Sequence, residues 1–368
     1  GVAQWAFGES TYAFASARKL ICTYLRKGAS CLASIDLESR ELEPIDVAFT
    51  AISGLSAGDG HAYFRGGTPT RPNAIVDLDL ATGKHETYRV SFEVNDEIPR
   101  HFSVPEAIEF PTEGSRTAHA FFYPPHNPDH AAPEGELPPL IVKGHGGPTG
   151  FTSNVLSLSI QYWTSRGFGV LDVNYGGSSG YGREYRERLE GQWGVVDLDD
   201  CSNGAKYLVE QGRADGDRLI IKGGSAGGYT TLAALAFRDV FRAGASYYGV
   251  SDLEALAKET HKFESRYMDS MIGPYPERRD LYVERSPVHH ADKISAPVIF
   301  FQGAEDKVVP PNQAERLVAA LRAKGLPVSY ILFDGEQHGF RRAENIKRAL
   351  DAELYFYAST LLRKGLRF

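Results

Sequence analysis

Ser225, Asp306 and His338, in that order along the chain, have the types and settings that suit nucleophilic attack on a carbonyl. Ser225 stands in Gly223-Gly224-Ser225-Ala226-Gly227-Gly228, between the β-branched run Leu219-Ile220-Ile221-Lys222 and a helix-forming run over residues 229–237. Strand, tight turn, serine and helix in succession make a nucleophile elbow. Glycines two positions before and after the serine let the backbone bend sharply without Cβ clashes, so the hydroxyl stands exposed at the strand's carboxyl end. The following helix aims free N–H groups at the same point, where backbone donors and the helix dipole stabilise a developing oxyanion.

Spelling alone does not make the motif. Gly54-Leu55-Ser56-Ala57-Gly58 has the same Gly-x-Ser-x-Gly form, but Asp59-Gly60 and the strand-like His61-Ala62-Tyr63-Phe64 follow it in place of a helix. Ser56 is therefore read as a turn residue. A serine nucleophile needs a base, and the base an orienting acid, in the chain order Ser, Asp or Glu, His. The apolar strand Pro297-Val298-Ile299-Phe300-Phe301 runs into Gln302-Gly303-Ala304-Glu305-Asp306, and a strand over 328–333 runs into Asp334-Gly335-Glu336-Gln337-His338. Both loops lie where triad residues belong. Glu305 is the competing carboxylate; Asp306 is preferred because Gly-x-x-Asp followed by Val309-Pro310 is the hydrolase pattern. Among 11 histidines, His289 and His290 are the competitors of His338, but they precede Asp306 and break the order.

A second oxyanion donor is expected from the loop of an earlier strand, and Leu140-Ile141-Val142-Lys143 runs directly into Gly144-His145-Gly146-Gly147-Pro148. The Ala226 N–H with that of Gly146 or Gly147 forms the expected oxyanion pair. A phosphate-binding loop is not indicated, since no Gly-x-x-x-x-Gly-Lys-Ser/Thr run occurs. Asn174-Tyr175-Gly176-Gly177-Ser178-Ser179-Gly180-Tyr181-Gly182 follows a strand over 169–173, and its glycines are read as letting the loop pass beneath the site. For substrate, residues 251–273 leave the alternation of strands and helices, and such an excursion near a nucleophile commonly builds a pocket. Tyr247, Tyr248 and Phe263 are the apolar candidates, Glu264 a partner for a free α-amino group, and Arg266 a further candidate. The plainer alternative is a surface helix with Glu264 and Arg266 in solvent.

The His-Gly-Gly-Pro run at 145–148, the Asn-Tyr-x-Gly-Ser-x-Gly-Tyr-Gly run at 174–182, the elbow at 223–228 and the Asp306 and His338 loops together resemble the prolyl oligopeptidase family of serine peptidases. Within it they are most similar to the acylaminoacyl-peptidase and dipeptidyl-aminopeptidase-like branch. The likeness covers residues 105–368. It implies an α/β-hydrolase catalytic domain, no metal or cofactor, and an N-terminal propeller over the active site. Two positions depart from the pattern. Val308 stands where some members carry Arg or Asn to hold a substrate carbonyl, and Gly176 where the branch commonly has Arg.

The elements that must position these residues divide near residue 100. Over 1–100, short strands at 12–15, 20–25, 30–37, 62–65 and 74–80 alternate with turns. Ser34-Ile35-Asp36-Leu37 and Ile75-Val76-Asp77-Leu78 open units that repeat after about 41 residues, a propeller-blade period. Two blades cannot close, because a propeller needs about 4 to 8, so the chain reads as the C-terminal blades of a longer propeller or one completed by a partner chain. A small antiparallel β-domain is the alternative. Over 101–368, strands at 108–110, 118–123, 140–143, 169–173, 219–222, 243–248, 298–302 and 328–333 alternate with helices such as 197–210, 313–324 and 343–362. Continuous apolar strands joined by helices imply an α/β-hydrolase fold, a mostly parallel, doubly wound sheet covered on both faces.

The 368 residues, 42% hydrophobic and 24% charged, have ordinary globular usage. A net charge of −7 argues against nucleic acid, which needs a basic surface. No apolar run approaches the ~18 residues that span a bilayer, and the N-terminus lacks a basic stretch followed by an apolar core. A cytoplasmic location is expected, with a removed signal left open because the chain begins at Gly1. Cys22, Cys31 and Cys201 read as free buried thiols in a reducing compartment, or Cys22 and Cys31 as facing each other across a hairpin. The expected activity is a serine peptidase acting through an acyl-enzyme on short peptides or on aminoacyl or acylaminoacyl amides. The alternatives are a carboxylesterase, which typically lacks blades, and a binding protein on a dead hydrolase scaffold, which usually lacks a triad residue. Expected partners are the substrate and the missing propeller portion; a homo-oligomer is left open.

Overall fold

Alternation of apolar and polar residues over the first ninety positions yields two four-stranded antiparallel meanders. The first runs β1 (Tyr12–Phe14), β2 (Lys19–Arg26), β3 (Ala29–Asp36) and β4 (Leu42–Ile45); the second runs β5 (Ala51–Gly58), β6 (His61–Thr68), β7 (Arg71–Asp79) and β8 (His85–Val90). Each has the strand order of a propeller blade. Ile21 and Leu32 of the first meet Leu55, Phe64, Val76 and Leu78 of the second in one small core. The computed structural model describes residues 3, 5–260 and 262–361. Gly1 and Leu362, on which sequence expectations fall, lie outside the described residues.

Several expectations for this region change. The repeat pairs Asp36 with Asp79, not with Asp77. Asp36 Oδ1 accepts from the N–H groups of Glu38 and Ser39, Asp79 Oδ1 from those of Ala81 and Thr82, and Arg40 and Gly83 then both take positive φ (62° and 70°). Asp77 lies inside β7, bonded to His61 and to the Tyr88 hydroxyl. The similar spelling set the register wrongly, because the turn is defined by the aspartate that caps it. Ser56 is a strand residue of β5 opposite Tyr63, beyond a register shift between Ser53 and Ser56, and is not in a turn. Cys22 lies opposite Ala33 and Cys31 opposite Tyr24; all three thiols are free, and only Cys201 is fully buried.

The third sheet comprises β9 (Glu106–Thr112), β10 (Arg116–Tyr123), β11 (Leu140–Gly144), β12 (Gly169–Asn174), β13 (Leu219–Gly224), β14 (Ala243–Tyr247), β15 (Val298–Gly303) and β16 (Val328–Phe333). Its order is β16-β15-β14-β13-β11-β12-β10-β9, with β11 to β16 parallel and β9 and β10 forming an antiparallel edge. Side chains alternate between two cores. Leu140, Val142, Ile221 and Phe300 face helices Val196–Glu210, Ala226–Phe237 and Asn312–Ala323. Ile141, Ile220, Ile299 and Phe301 face helices Leu158–Thr164 and Ala343–Thr360. This is the α/β-hydrolase arrangement, and it brings the ends of β11 and β13 to β16 to one edge.

Charges are buried on both faces. Lys222 of β13 donates to Glu353 at 2.7 Å, and the Tyr357 hydroxyl donates to the same carboxylate at 2.7 Å. Desolvation lowers the Lys222 pKa against the pull of Glu353. On the other face, Asp197 accepts from the Gly194 N–H at 2.7 Å and the Thr230 hydroxyl at 2.6 Å. This ties the turn before helix Val196–Glu210 to the helix that follows Ser225. Burial pushes the Asp197 carboxyl up to about 6. A carboxyl whose folded pKa exceeds its unfolded one favours the fold when protonated, so that stability is full below about pH 4 and is lost as pH rises through about 6. Asp197→Asn should therefore change stability little near pH 4 and raise it by about 3 kcal/mol at pH 8, measured by denaturant unfolding at both values. A variant whose difference from the parent does not vary with pH would refute this.

Candidate active site

Ser225 follows β13 directly and caps the N-terminus of helix Ala226–Phe237 at φ 57° and ψ −121°, a conformation costly for any residue with a Cβ. Neighbours hold it there. Its N–H donates to the Tyr247 carbonyl at 3.0 Å, and its own carbonyl accepts from the Tyr229 N–H at 3.0 Å. A Cβ on Gly227 would sit 2.2 Å from the Gly144 carbonyl oxygen, so the helix can approach the end of β11 this closely only with glycine there.

The loops after β15 and β16 bring two side chains to this serine. His338 Nε2 lies 2.9 Å from Ser225 Oγ, and His338 Nδ1 lies 2.8 Å from Asp306 Oδ2. With Nδ1–H donating to the acid, the Nε2 lone pair faces the serine hydroxyl, the tautomer that proton transfer requires. The Asp306 side chain is fully buried, and its Oδ1 accepts from the N–H groups of Val308 and Val309 at 2.9 Å each. Gln302 Nε2 approaches Oδ2 at 3.3 Å. The Glu305 side chain is exposed. The His338 loop is fixed by Glu336, whose carboxylate accepts from the N–H groups of Arg341 and Arg342 and from Asn345 Nδ2. His289 and His290 lie instead on the segment Pro287–Lys293, where His290 packs edge-on to Phe237.

The Ala226 N–H opens the helix after the serine. Gly146 approaches from the other side, where a Cβ would be 3.7 Å from Ser225 Cβ, and Gly147 lines the same cavity. The loop carrying both is braced from below by side chains of the 174–182 segment, which the sequence reading credited to its glycines. Tyr175 stacks on His145 at 4.2 Å and donates to the carbonyls of His145 and Pro148. Ser178 Oγ lies 2.6 Å from His145 Nε2, and Ser179 Oγ donates to the Thr149 carbonyl at 2.7 Å. Burial pushes the His145 pKa down to about 4, so the ring is neutral at neutral pH. Tyr175, Ser178 and Ser179 were missed as individual residues, although they stand as the polar members of a motif already singled out.

A cavity of about 40 Å³ opens beside Ser225, walled by Trp193, Glu264, Tyr267 and Met268. Of the five expected substrate contacts, Glu264 lines it, half-buried, with Oε2 accepting from the Thr260 hydroxyl at 3.0 Å. The others are placed differently. Tyr247 points to the opposite face of the sheet, stacks on Phe301 at 4.5 Å and donates its hydroxyl to Glu353, because strand alternation puts it on the side of Ala243 and Ala245. Tyr248 packs edge-on against the His338 ring at 4.8 Å and is not part of the cavity wall. Phe263 is 81% exposed and meets Phe7 edge-on, and Arg266 is exposed and paired with Asp269. Val308 lines the cavity while its N–H serves Asp306. Among the described residues, no His, Cys, Asp and Glu cluster suits a metal ion, and no helix is long and apolar enough to cross a membrane.

Dipeptidyl aminopeptidase BIII of Pseudoxanthomonas mexicana is 35% identical over 215 residues, 57% of this chain and 31% of that protein. The acylamino-acid-releasing enzyme of Arabidopsis thaliana is 31% identical over 221 residues, 57% of this chain and 28% of that protein. The solved structure of a Mycobacterium tuberculosis puromycin-hydrolyzing peptidase matches with a TM-score of 0.93 at 46% identity, covering 97% of this chain and 55% of that one. The chain thus spans about half the length of that structural relative. The model of the prolyl oligopeptidase family matches residues 154–363. That segment holds the elbow, the acid loop and the base loop and makes up more than half of the sequence, so the chain belongs to the prolyl oligopeptidase family.

Proposed function

We propose that this chain hydrolyses amide bonds of short peptides, or of aminoacyl and acylaminoacyl amides, through an acyl-enzyme. The observation that carries this is the line from Ser225 Oγ through the His338 ring to Asp306, at 2.9 and 2.8 Å. Ser225 attacks the scissile carbonyl while His338 Nε2 takes its proton. The tetrahedral oxyanion is held by the Ala226 N–H with that of Gly146 or Gly147. His338 then delivers the proton to the leaving amine, and water repeats the cycle on the ester. Asp306 keeps the imidazole in its tautomer. Glu264, on the cavity wall, receives a free α-amino group. In this reading residues 1–100 and 101–368 are the blade and hydrolase units, further blades come from elsewhere in the protein or from a partner chain, and three free thiols fit work in the cytoplasm.

Replacement of Ser225 or His338 by Ala should lower turnover by about 10⁶-fold, because the two act as one unit. A fluorophosphonate should label Ser225 and leave Ser56 untouched; label on Ser56, or activity surviving in Ser225→Ala, would overturn the assignment. Asp306→Asn should cost roughly 10⁴ in kcat by selecting the wrong tautomer, whereas Glu305→Gln should be mild; steady-state kinetics with the order reversed would make Glu305 the acid. With aminoacyl-, dipeptidyl- and acylaminoacyl-chromophores tested beside a simple ester, Glu264→Gln should raise KM about tenfold for free-amine substrates alone. Equal effects on acylated ones would remove Glu264 from amine recognition.

A further inference from the structure

The loop that carries Gly146 and Gly147 is held from below by Tyr175, Ser178 and Ser179. Its other side is met by a residue from the opposite end of the sequence. Trp5 Nε1 donates to Thr149 Oγ1 at 3.1 Å, and the same oxygen lies 2.7 Å from the Tyr267 hydroxyl. The indole edge also lies over Gly147, where an added Cβ would come within 3.1 Å of Trp5 Cζ2. Thr149 is buried and Trp5 is 47% exposed, so one side chain reaches in from the surface to the loop and, through Thr149, to Tyr267 on the cavity wall.

The segment bearing Trp5 is anchored away from the hydrolase unit. Glu9 pairs with Arg65 of β6 and accepts from the Gly54 N–H of β5, and the Ser10 carbonyl accepts from the Leu55 N–H. One short stretch therefore touches the blade sheets at one end and the oxyanion loop at the other. We propose that Trp5 is a positioning residue, which through Thr149 sets the oxyanion loop and the Tyr267 wall and so couples the seating of the blades to the catalytic geometry. A threonine hydroxyl has one proton and two lone pairs. The Trp5 N–H fills one lone pair, which leaves the proton and the second lone pair for Tyr267 and fixes the Thr149 rotamer two residues from Gly147.

This inference rests on the Ser225 site acting as proposed, and the test separates the two. Trp5→Phe keeps the ring over Gly147 and removes the N–H; Thr149→Val removes the oxygen that both partners share. The rate at which a fluorophosphonate labels Ser225 reads the oxyanion geometry without any peptide. Trp5→Phe should slow labelling and lower kcat about fivefold with KM little changed, and Thr149→Val should do so somewhat more. The double variant should match Thr149→Val alone, since the second change removes a bond already lost. Parent-like labelling and kcat in Trp5→Phe, or losses that multiply in the double variant, would overturn the coupling. A parent protein that is labelled at Ser225 yet cleaves no amide would overturn the peptidase reading, while the labelling rates still judge Trp5. A parent that is not labelled overturns both.

Discussion

The contact between Gly227 and the Gly144 carbonyl is the constraint from which the site's geometry follows. A side chain of any size at Gly227 would meet backbone at 2.2 Å, so the helix after Ser225 and the end of β11 are in direct backbone contact. Ser225 is bent to φ 57° in the process. That conformation costs of the order of 1–3 kcal/mol and persists because the sheet and the helix over-determine it. The serine N–H is spent on β14, and nearly every residue of helix Ala226–Phe237 is buried. The same contact decides where the loop bearing Gly146 and Gly147 begins, since His145 and Gly146 follow Gly144 directly.

Parallel strand order then does the assembling. β13, β15 and β16 all end at one edge, so loops that are distant in sequence deliver Ser225, Asp306 and His338 to one place, and the residue after β14, Tyr248, packs against the His338 ring. Asp306 is aimed by backbone, through the N–H groups of Val308 and Val309, which leaves its second oxygen to the His338 ring. Buried polar contacts beneath this edge tie strands to helices. Lys222 and Glu353 form the pair on one face, and removing either member strands the other in low dielectric; Asp197 on the other face has only neutral donors, from Gly194 and Thr230.

What the sequence could reveal follows from how local each signal is. The elbow, the Asp306 loop and the His338 loop are each written within a few consecutive residues, and their chain order is itself a test, so this part of the site was readable. The central strands were readable too, because they are apolar on both faces. β4 and β8 were missed because they are short, mostly exposed edge strands without an apolar stripe, and β5 because its glycines and serines imitate a turn. The pocket was largely unreadable. Glu264, Tyr267 and Met268 all come from the 251–273 excursion, but which of its residues face the cavity follows no period, and Trp193 arrives from a separate segment. Tyr247 shows the limit most directly: its alternation with Ala243 and Ala245 was available, but which face of the sheet looks toward Ser225 depends on the placement of helix Ala343–Thr360.

The site is thus built from parts of unequal rigidity. Ser225, His338 and Asp306 are fixed by a sheet covered on both faces, whereas the Gly146-Gly147 loop and the cavity wall hang on side-chain contacts from Tyr175, Thr260, Glu264 and Trp5. Moving a packed sheet edge would disturb both cores at once, but moving a loop held by a few hydrogen bonds costs about 1 kcal/mol per bond. Differences in substrate selection between chains that share this triad are therefore expected to arise in these loops and in whatever blades seat the Trp5 segment, and not in the triad itself.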